Sequence, residues 1–378
     1  MHVRGLHGKR RPEGVPTLRH NAAGPSTHHT ENSTMLSPVR TLGREEGIGH
    51  RSGRVHTRAR RCAIQVFAKA VTISGADLWK IRRMARRSRL LILNLHSVTP
   101  RRSSLEQPLT PELFDELLTW MNANFRIVTL AQVAASRRPA DDRPCAVLSF
   151  DDGYRDFVEY AMPILARHGV RVNQNIVPEC IEAQRPPWNV HLVQVLEQLP
   201  TERLEKFELP GAGPRLSAGR LGPARFGLEV SRYLKNRPRY ERRELLSAIS
   251  EQLPELMMPS PGAMMSVEEV RLVARDHELG LQSFSHDSME FESDDFFRSD
   301  TKACLEWATA CVGCTPRIYA FANGSYRQSQ IEIASTYGFE HVLLVGERST
   351  PWERHVRTRV TVFGTDACEL RARLARAA

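Results

Sequence analysis

The apolar run Ala146-Val147-Leu148-Ser149-Phe150 passes directly into Asp151-Asp152-Gly153-Tyr154, and this segment constrains the fold more than any other. A short continuous apolar run marks a strand buried on both faces, hence a parallel sheet. Folds of the α/β class place their chemistry at the C-terminal ends of such strands. Adjacent aspartates there disfavour each other's ionisation, a cost that a divalent cation removes. Gly153 allows a sharp turn without a Cβ penalty. Asp-Asp-Gly on its own is also an ordinary turn, so its meaning rests on the strand before it, the helix after it and a matching segment downstream.

The rest of the chain alternates strands with helices. Leu90–Val98 is the first strand and carries His96 near its end. Thr110-Pro111 supplies a helix N-cap with proline at the first helical position, and Leu113, Leu117, Trp120 and Met121 share one face of that helix. A short strand at Ile127-Val128 and a helix from Leu130 follow. After the aspartates, Phe157, Tyr160, Ile164 and Leu165 line a helix that His168-Gly169 ends, and Val170–Val177 is the next strand. That spacing is a βαβ unit. Residues 178–264 break the rhythm with Pro186-Pro187-Trp188, a Pro/Gly-rich stretch from Leu209 to Pro223 and helix-like pieces, as an insertion that shapes or caps a cleft does. Ser266-Val-Glu-Glu269 is a capping box opening a helix. Strands at Ile318–Phe321 and His341–Val345 flank a helix at Ile331–Tyr337, and residues 366–378 form a C-terminal helix. Alternation over about 250 residues predicts an α/β barrel, complete or distorted.

Charge is unevenly placed. The net charge is +10, yet residues 1–61 alone hold twelve Lys/Arg against four Asp/Glu, which leaves the remainder nearly neutral. This segment has no sustained apolar period and reads as disordered, or as an upstream extension with Met84 a candidate start. A basic arm can hold phosphates, but no aromatic residues interleave, so no specific nucleic-acid partner is expected. Residues 62–89 carry a mixed basic and apolar helical pattern suited to packing on the domain or to peripheral contact with a membrane surface. No stretch approaches the ~20 apolar residues of a membrane span. Seven scattered cysteines, an odd number, do not form a disulfide framework. With no apolar leader sequence in view, a cytoplasmic location is expected. Cys311-Val-Gly-Cys314 has redox or zinc spacing without a second pair and reads as structural.

The second chemical segment is Glu278-Leu-Gly-Leu-Gln282-Ser-Phe-Ser-His286-Asp287. Taken with Ser149–Gly153 upstream and Ala320-Phe-Ala-Asn-Gly-Ser-Tyr326 downstream, it resembles the polysaccharide deacetylases with a NodB-homology domain, the family-4 carbohydrate esterases. The resemblance spans roughly residues 88–348, with a domain expected over 90–365. It implies a distorted (β/α)7 barrel with a helical insertion, and metal-dependent hydrolysis of an N-acetyl group on an amino-sugar glycan. On this resemblance Asp151 is the general base, Asp152 and His286 are metal ligands, and the backbone N–H of Asn323 is the oxyanion donor. The family's first motif histidine falls on Gln282, and proline and tyrosine are usual where Ala322 and Asn323 stand. His96, Tyr154, Trp188 and Arg359 are candidate substrate contacts, and His355 is a candidate for the late catalytic histidine, with Arg359 an equal alternative.

The chemistry suits these residue types. A divalent cation, zinc by donor type with cobalt or manganese as alternatives, polarises the amide carbonyl and lowers the pKa of bound water. Gln282 is a weaker donor than imidazole, so metal affinity is expected to fall. The readings left open are a weak-metal deacetylase, an enzyme of another cation, and a glycan-binding pseudoenzyme of the same fold.

Overall fold

Leu90–Leu95 and Ala146–Phe150 are buried on both faces and pair in parallel over their whole length, Leu90 beside Cys145 and Leu95 beside Phe150. Around this pair, in a computed structural model, the chain builds a closed barrel. The structure describes residues 63, 65–101, 108–135, 143–209, 211 and 221–378. The tail assigned to 1–61 and most of the stretch from Leu209 to Pro223 lie outside the described residues.

The strands are β1 (Arg89–Leu95), β2 (Arg126–Ile127), β3 (Cys145–Phe150), β4 (Asn173–Ile176), β5 (Glu278–Leu281), β6 (Ile318–Ala320), β7 (His341–Gly346), β8 (Thr350–Pro351) and β9 (Val356–Thr361). Seven of them, in the order β1-β3-β4-β5-β6-β7-β9 and back to β1, are all parallel neighbours. The distortion lies at the N-terminal rim. There β2 adds to β3 in parallel, while β8 runs antiparallel to β1.

Two apolar layers result from the period-2 alternation of the strands. Leu91, Leu93, Ala146, Leu148 and Phe150 belong to the large core under the helices, whereas Leu90, Ile92, Val147, Ile318, Ala320 and Leu343 form a smaller inner cluster. The flanking helices start where their caps dictate. The Leu113 N–H donates to Thr110 Oγ at 3.2 Å, with Pro111 in the first turn of the helix Pro111–Asn124. Ser266 and Glu269 form both bonds of the expected capping box on Val267–Asp276. That helix ends at Asp276, and Glu278–Leu281 is strand. Gly169, at φ 63°, closes the helix Met162–His168.

The insertion is helical, with Trp188–Gln198, Pro223–Lys235 and Arg239–Gln252 around their own core of Leu192, Leu196, Phe226, Val230, Leu234 and Ile249. The lead-in segment packs only in part. Ile81 and Met84 are buried and Asp77 pairs with Arg371 of the C-terminal helix Ala367–Ala377 at 2.7 Å, but Phe67, Ile73 and Trp79 stay exposed. No described helix is long and apolar enough to cross a membrane. Cys311 and Cys314 are free thiols.

Candidate active site

The C-terminal ends of β1, β3, β5, β6 and β9 open on one cavity of about 440 Å³. His96, Asp151, Asp152, Gln282, His286 and Asn323, predicted from sequence, all line it. The insertion contributes Asn189, Val190 and Lys235, so it does shape the cleft.

Asp151 is 1% exposed and sits at the end of β3, its N–H donating to Leu95 O at 2.9 Å. Its carboxylate receives three donors. Arg359 Nη1 and Asn175 Nδ2 reach Oδ1 at 2.5 and 2.8 Å, and Arg359 Nη2 reaches Oδ2 at 2.8 Å. A carboxylate oxygen has two lone pairs, so Oδ1 is filled while Oδ2 can accept one more proton donor. Beneath it, Ser149 Oγ donates to Asn173 Oδ1 at 2.7 Å and receives Arg359 Nη1 at 3.0 Å and Asn175 Nδ2 at 3.1 Å. Asp151 therefore rests on a buried polar layer inside the barrel.

Asp152 and Gly153 turn the chain away at φ 75° and 87°, and a Cβ on Gly153 would lie 3.1 Å from Ile181 Cδ1. Asp152 Oδ1 is buried, makes no hydrogen bond and lies 3.4 Å from His286 Nε2. Burial, the largest influence, works against ionisation of Asp152. The charge of His286, with His96 and Lys235 behind it, outweighs burial and holds the carboxyl below its ordinary range.

Gln282 also reaches this corner, but its amide is committed. Its Oε1 accepts the Asp152 N–H at 3.1 Å, and its Nε2 lies 3.4 Å from His286 Nε2. Asp152 and His286 fit a divalent cation through an unsatisfied carboxylate oxygen and an imidazole. Gln282 as placed does not, because it turns N–H donors toward that corner. Among the described residues no group of three or more His, Cys, Asp or Glu gathers as a metal site.

The loop behind His286 is braced by two buried acids. Asp287 takes Arg239 Nη1 at 3.1 Å together with Arg242 Nη2. Asp300 receives the Phe284 N–H at 3.1 Å, and burial, with Asp287 nearby, pushes its pKa up to about 7. His286 and Ser283 adopt φ 57° and 63°, conformations that this bracing maintains. Asn323 adopts φ 56° and its side chain donates to Ser288 Oγ at 3.2 Å.

Four expectations are corrected. Arg359 does not line the cavity; it is fully buried behind Asp151 as that residue's ion-pair partner. Tyr154 faces a neighbouring cavity with Arg101 and Glu159, and its backbone bridges to Met264. Trp188 lines a different cavity beneath the insertion. His355 lies next to Ser335 at the N-terminal end of β9, the wrong end of a parallel strand for this site. Sequence reading missed Asn173 and Asn175, although two asparagines spaced by one residue in a buried strand are a legible signal of an inward polar face.

Residues 262–342 match the family model for polysaccharide deacetylase. This stretch includes Gln282, His286 and Asn323, and the barrel around it closes with seven parallel strands. The match ties that segment, though not the whole chain, to the polysaccharide deacetylase family. A Streptococcus pyogenes deacetylase, PplD, solved in complex with acetate, is similar in fold at 13% identity and TM-score 0.51, over 76% of this chain and 98% of that one. IcaB from Ammonifex degensii is 16% identical, TM-score 0.47, over 77% and 98%. A de-N-acetylase from Aggregatibacter actinomycetemcomitans is 13% identical, TM-score 0.48, over 75% and 99%. No curated protein matches the chain. The likeness to PplD bears out the expected NodB-type barrel as the fold.

Proposed function

We propose that the rim cavity binds an N-acetylated amino-sugar glycan and that the domain hydrolyses its acetamide, with Asp151 as proton acceptor. The observation that carries this reading is the state of the two aspartates. Asp151 is fixed by Arg359 and Asn175 with a lone pair left on Oδ2, and Asp152 presents an unpartnered oxygen beside His286. Water lying against Oδ2 can give up its proton there as it attacks the acetamide carbon. The carbonyl oxygen, as it gains charge, faces the Asn323 backbone. A divalent cation held by Asp152 and His286 would polarise that carbonyl and acidify water. With Gln282 turned away, its affinity is that of two protein donors.

The test is acetate release from a panel of N-acetylated oligosaccharides with added Zn²⁺, Co²⁺ or Mn²⁺, run beside direct binding of the same sugars. Acetate release that disappears in Asp151→Asn supports the reading. The second reading, a glycan-binding pseudoenzyme, is favoured by the orientation of the Gln282 amide. Sugar binding with no acetate released under any added metal would establish it.

A further inference from the structure

The insertion covers a second cavity, of about 410 Å³, that shares no lining residue with the rim cavity. Four arginines, Arg185, Arg239, Arg242 and Arg243, line it against two carboxylates, Glu179 and Asp287. Asp287 is fully buried and already holds two of the arginines, Arg239 and Arg242. Arg242 is 2% exposed, and its guanidinium lies 5.0 Å from the centre of the Trp188 ring. While Nη2 serves Asp287, Nη1 is buried without a partner.

Three more polar atoms from residues lining the same space are buried without partners, Trp188 Nε1, Ser285 Oγ and His191 Nε2, the last a donor or an acceptor according to its tautomer. Trp188 Nε1–H and Arg242 Nη1 can only donate, and the Ser285 hydroxyl can donate as well. Buried donors left unmet cost stability, and what meets three of them at once is a group that only accepts. Positive charge in excess makes that group an anion. A bare ion occupies a few times the ~30 Å³ share of a water molecule, so the cavity has room for more. Leu246, Leu256 and Met257 wall that extra space.

We infer that this cavity binds a phosphate-class oxyanion carried on a small organic body, with its oxygens on Arg242 Nη1, Trp188 Nε1 and Ser285 Oγ. The inference is independent of whether the rim cavity hydrolyses an acetamide. Because Ser285 and Asp287 flank His286, an occupant here also touches the loop that carries a rim-cavity residue.

Isothermal titration of the full chain with inorganic phosphate and with a hexose phosphate tests it. Saturable binding at one site per chain is expected. Trp188→Phe keeps the ring but removes the N–H, Arg242→Lys keeps a charge for Asp287 but removes the second nitrogen, and Ser285→Ala removes the hydroxyl. Each should weaken binding about tenfold or more, as for loss of a hydrogen bond to a charged group. Tighter binding of the hexose phosphate supports the inference and identifies a phosphorylated saccharide as the source, whereas equal binding of the two probes overturns the organic body and leaves a site for the free ion. No saturable binding of either probe overturns the inference, as does binding that all folded variants retain. Should Arg242→Lys fail to fold, Trp188→Phe and Ser285→Ala decide between these results.

Discussion

Arg359 of β9 and Asp151 at the end of β3 are 208 residues apart in sequence, yet the guanidinium spans both carboxylate oxygens at 2.5 and 2.8 Å in a fully buried pair. The two strands are not hydrogen-bonded neighbours; β1 lies between them, and the contact crosses the barrel interior. A bidentate fork fixes the carboxylate in rotation as well as position. Removing one member leaves a buried charge unpaired, at a cost of about 3–5 kcal/mol. Arg359→Ala should therefore lower the midpoint of chemical denaturation sharply. Arg359→Lys should retain more stability and lose activity, because an ammonium cannot span both oxygens. Equal stability of Arg359→Ala and the unmodified chain would show that the pair does not form.

The two aspartates should separate by their effects. Asp151→Asn leaves Asp152 and His286 in place, so metal content should hold while the rate falls about 10²–10⁴-fold, the contribution of general base catalysis. Asp152→Asn should lower metal content and rate together. Metal analysis of both variants beside their acetate-release rates checks the assignment, and equal metal loss in both would reverse it.

Gln282→His replaces an amide that turns N–H groups toward His286 with a second imidazole. Zinc affinity, measured by competition with a chelator, should rise, and each tenfold gain is about 1.4 kcal/mol. A gain in zinc without a gain in acetate release would favour the glycan-binding reading. Unchanged zinc affinity would mean that position 282 does not address the metal.

Gly280 in β5 lies against the asparagines that support Asp151. A Cβ there would run into Asn175 Oδ1 and come within 3.0 Å of Asn173 Nδ2. Gly280→Ala should push the Asn175 amide off Asp151, lowering stability by a few kcal/mol in the manner of an overpacked core and the rate with it. Wild-type activity in Gly280→Ala would show that the Asn175 contact is dispensable.

His341 should shape the acid limb of stability. It is 2% exposed, receives Arg357 Nε–H on Nδ1 at 3.1 Å and donates from Nε2 to Leu130 O at 2.9 Å, an arrangement only the neutral ring can make. Burial, then the charge of Arg357, lowers its pKa from 6.5 to about 4. The unfolded chain thus binds the proton more readily, so the contribution is complete above pH 6.5 and lost as pH falls toward 4, on the order of 3 kcal/mol in all. His341→Gln keeps a donor and an acceptor without a titration, and its denaturation midpoint should vary less between pH 7 and 4. An unchanged slope would move the effect to another group.

What the sequence determined by itself was local. The unbroken apolar run before Asp151, the Thr110-Pro111 and Ser266–Glu269 caps and the stop at Gly169 dictated strand and helix starts, because those signals act within a few residues. His96, Asp151 and Asp152 could be placed at the rim because each directly follows a recognisable strand, whereas Gln282, His286 and Asn323 were named from the resemblance to polysaccharide deacetylases. The closing of the barrel was decided only in three dimensions. In Val356-Arg-Thr-Arg-Val-Thr361 the alternation shows that Arg357 and Arg359 share a face, but alternation does not say which face is inside. Read alone, two arginines suggest solvent; in the barrel they turn inward, to His341 and to Asp151, because a carboxylate and an imidazole from other strands and the nearby Trp352 carbonyl meet them there. The same holds for Gln282. Its place in the motif followed from the resemblance to the deacetylases, but whether its amide offers an oxygen or an N–H depended on the Asp152 N–H, which the turn after β3 brings to its carbonyl.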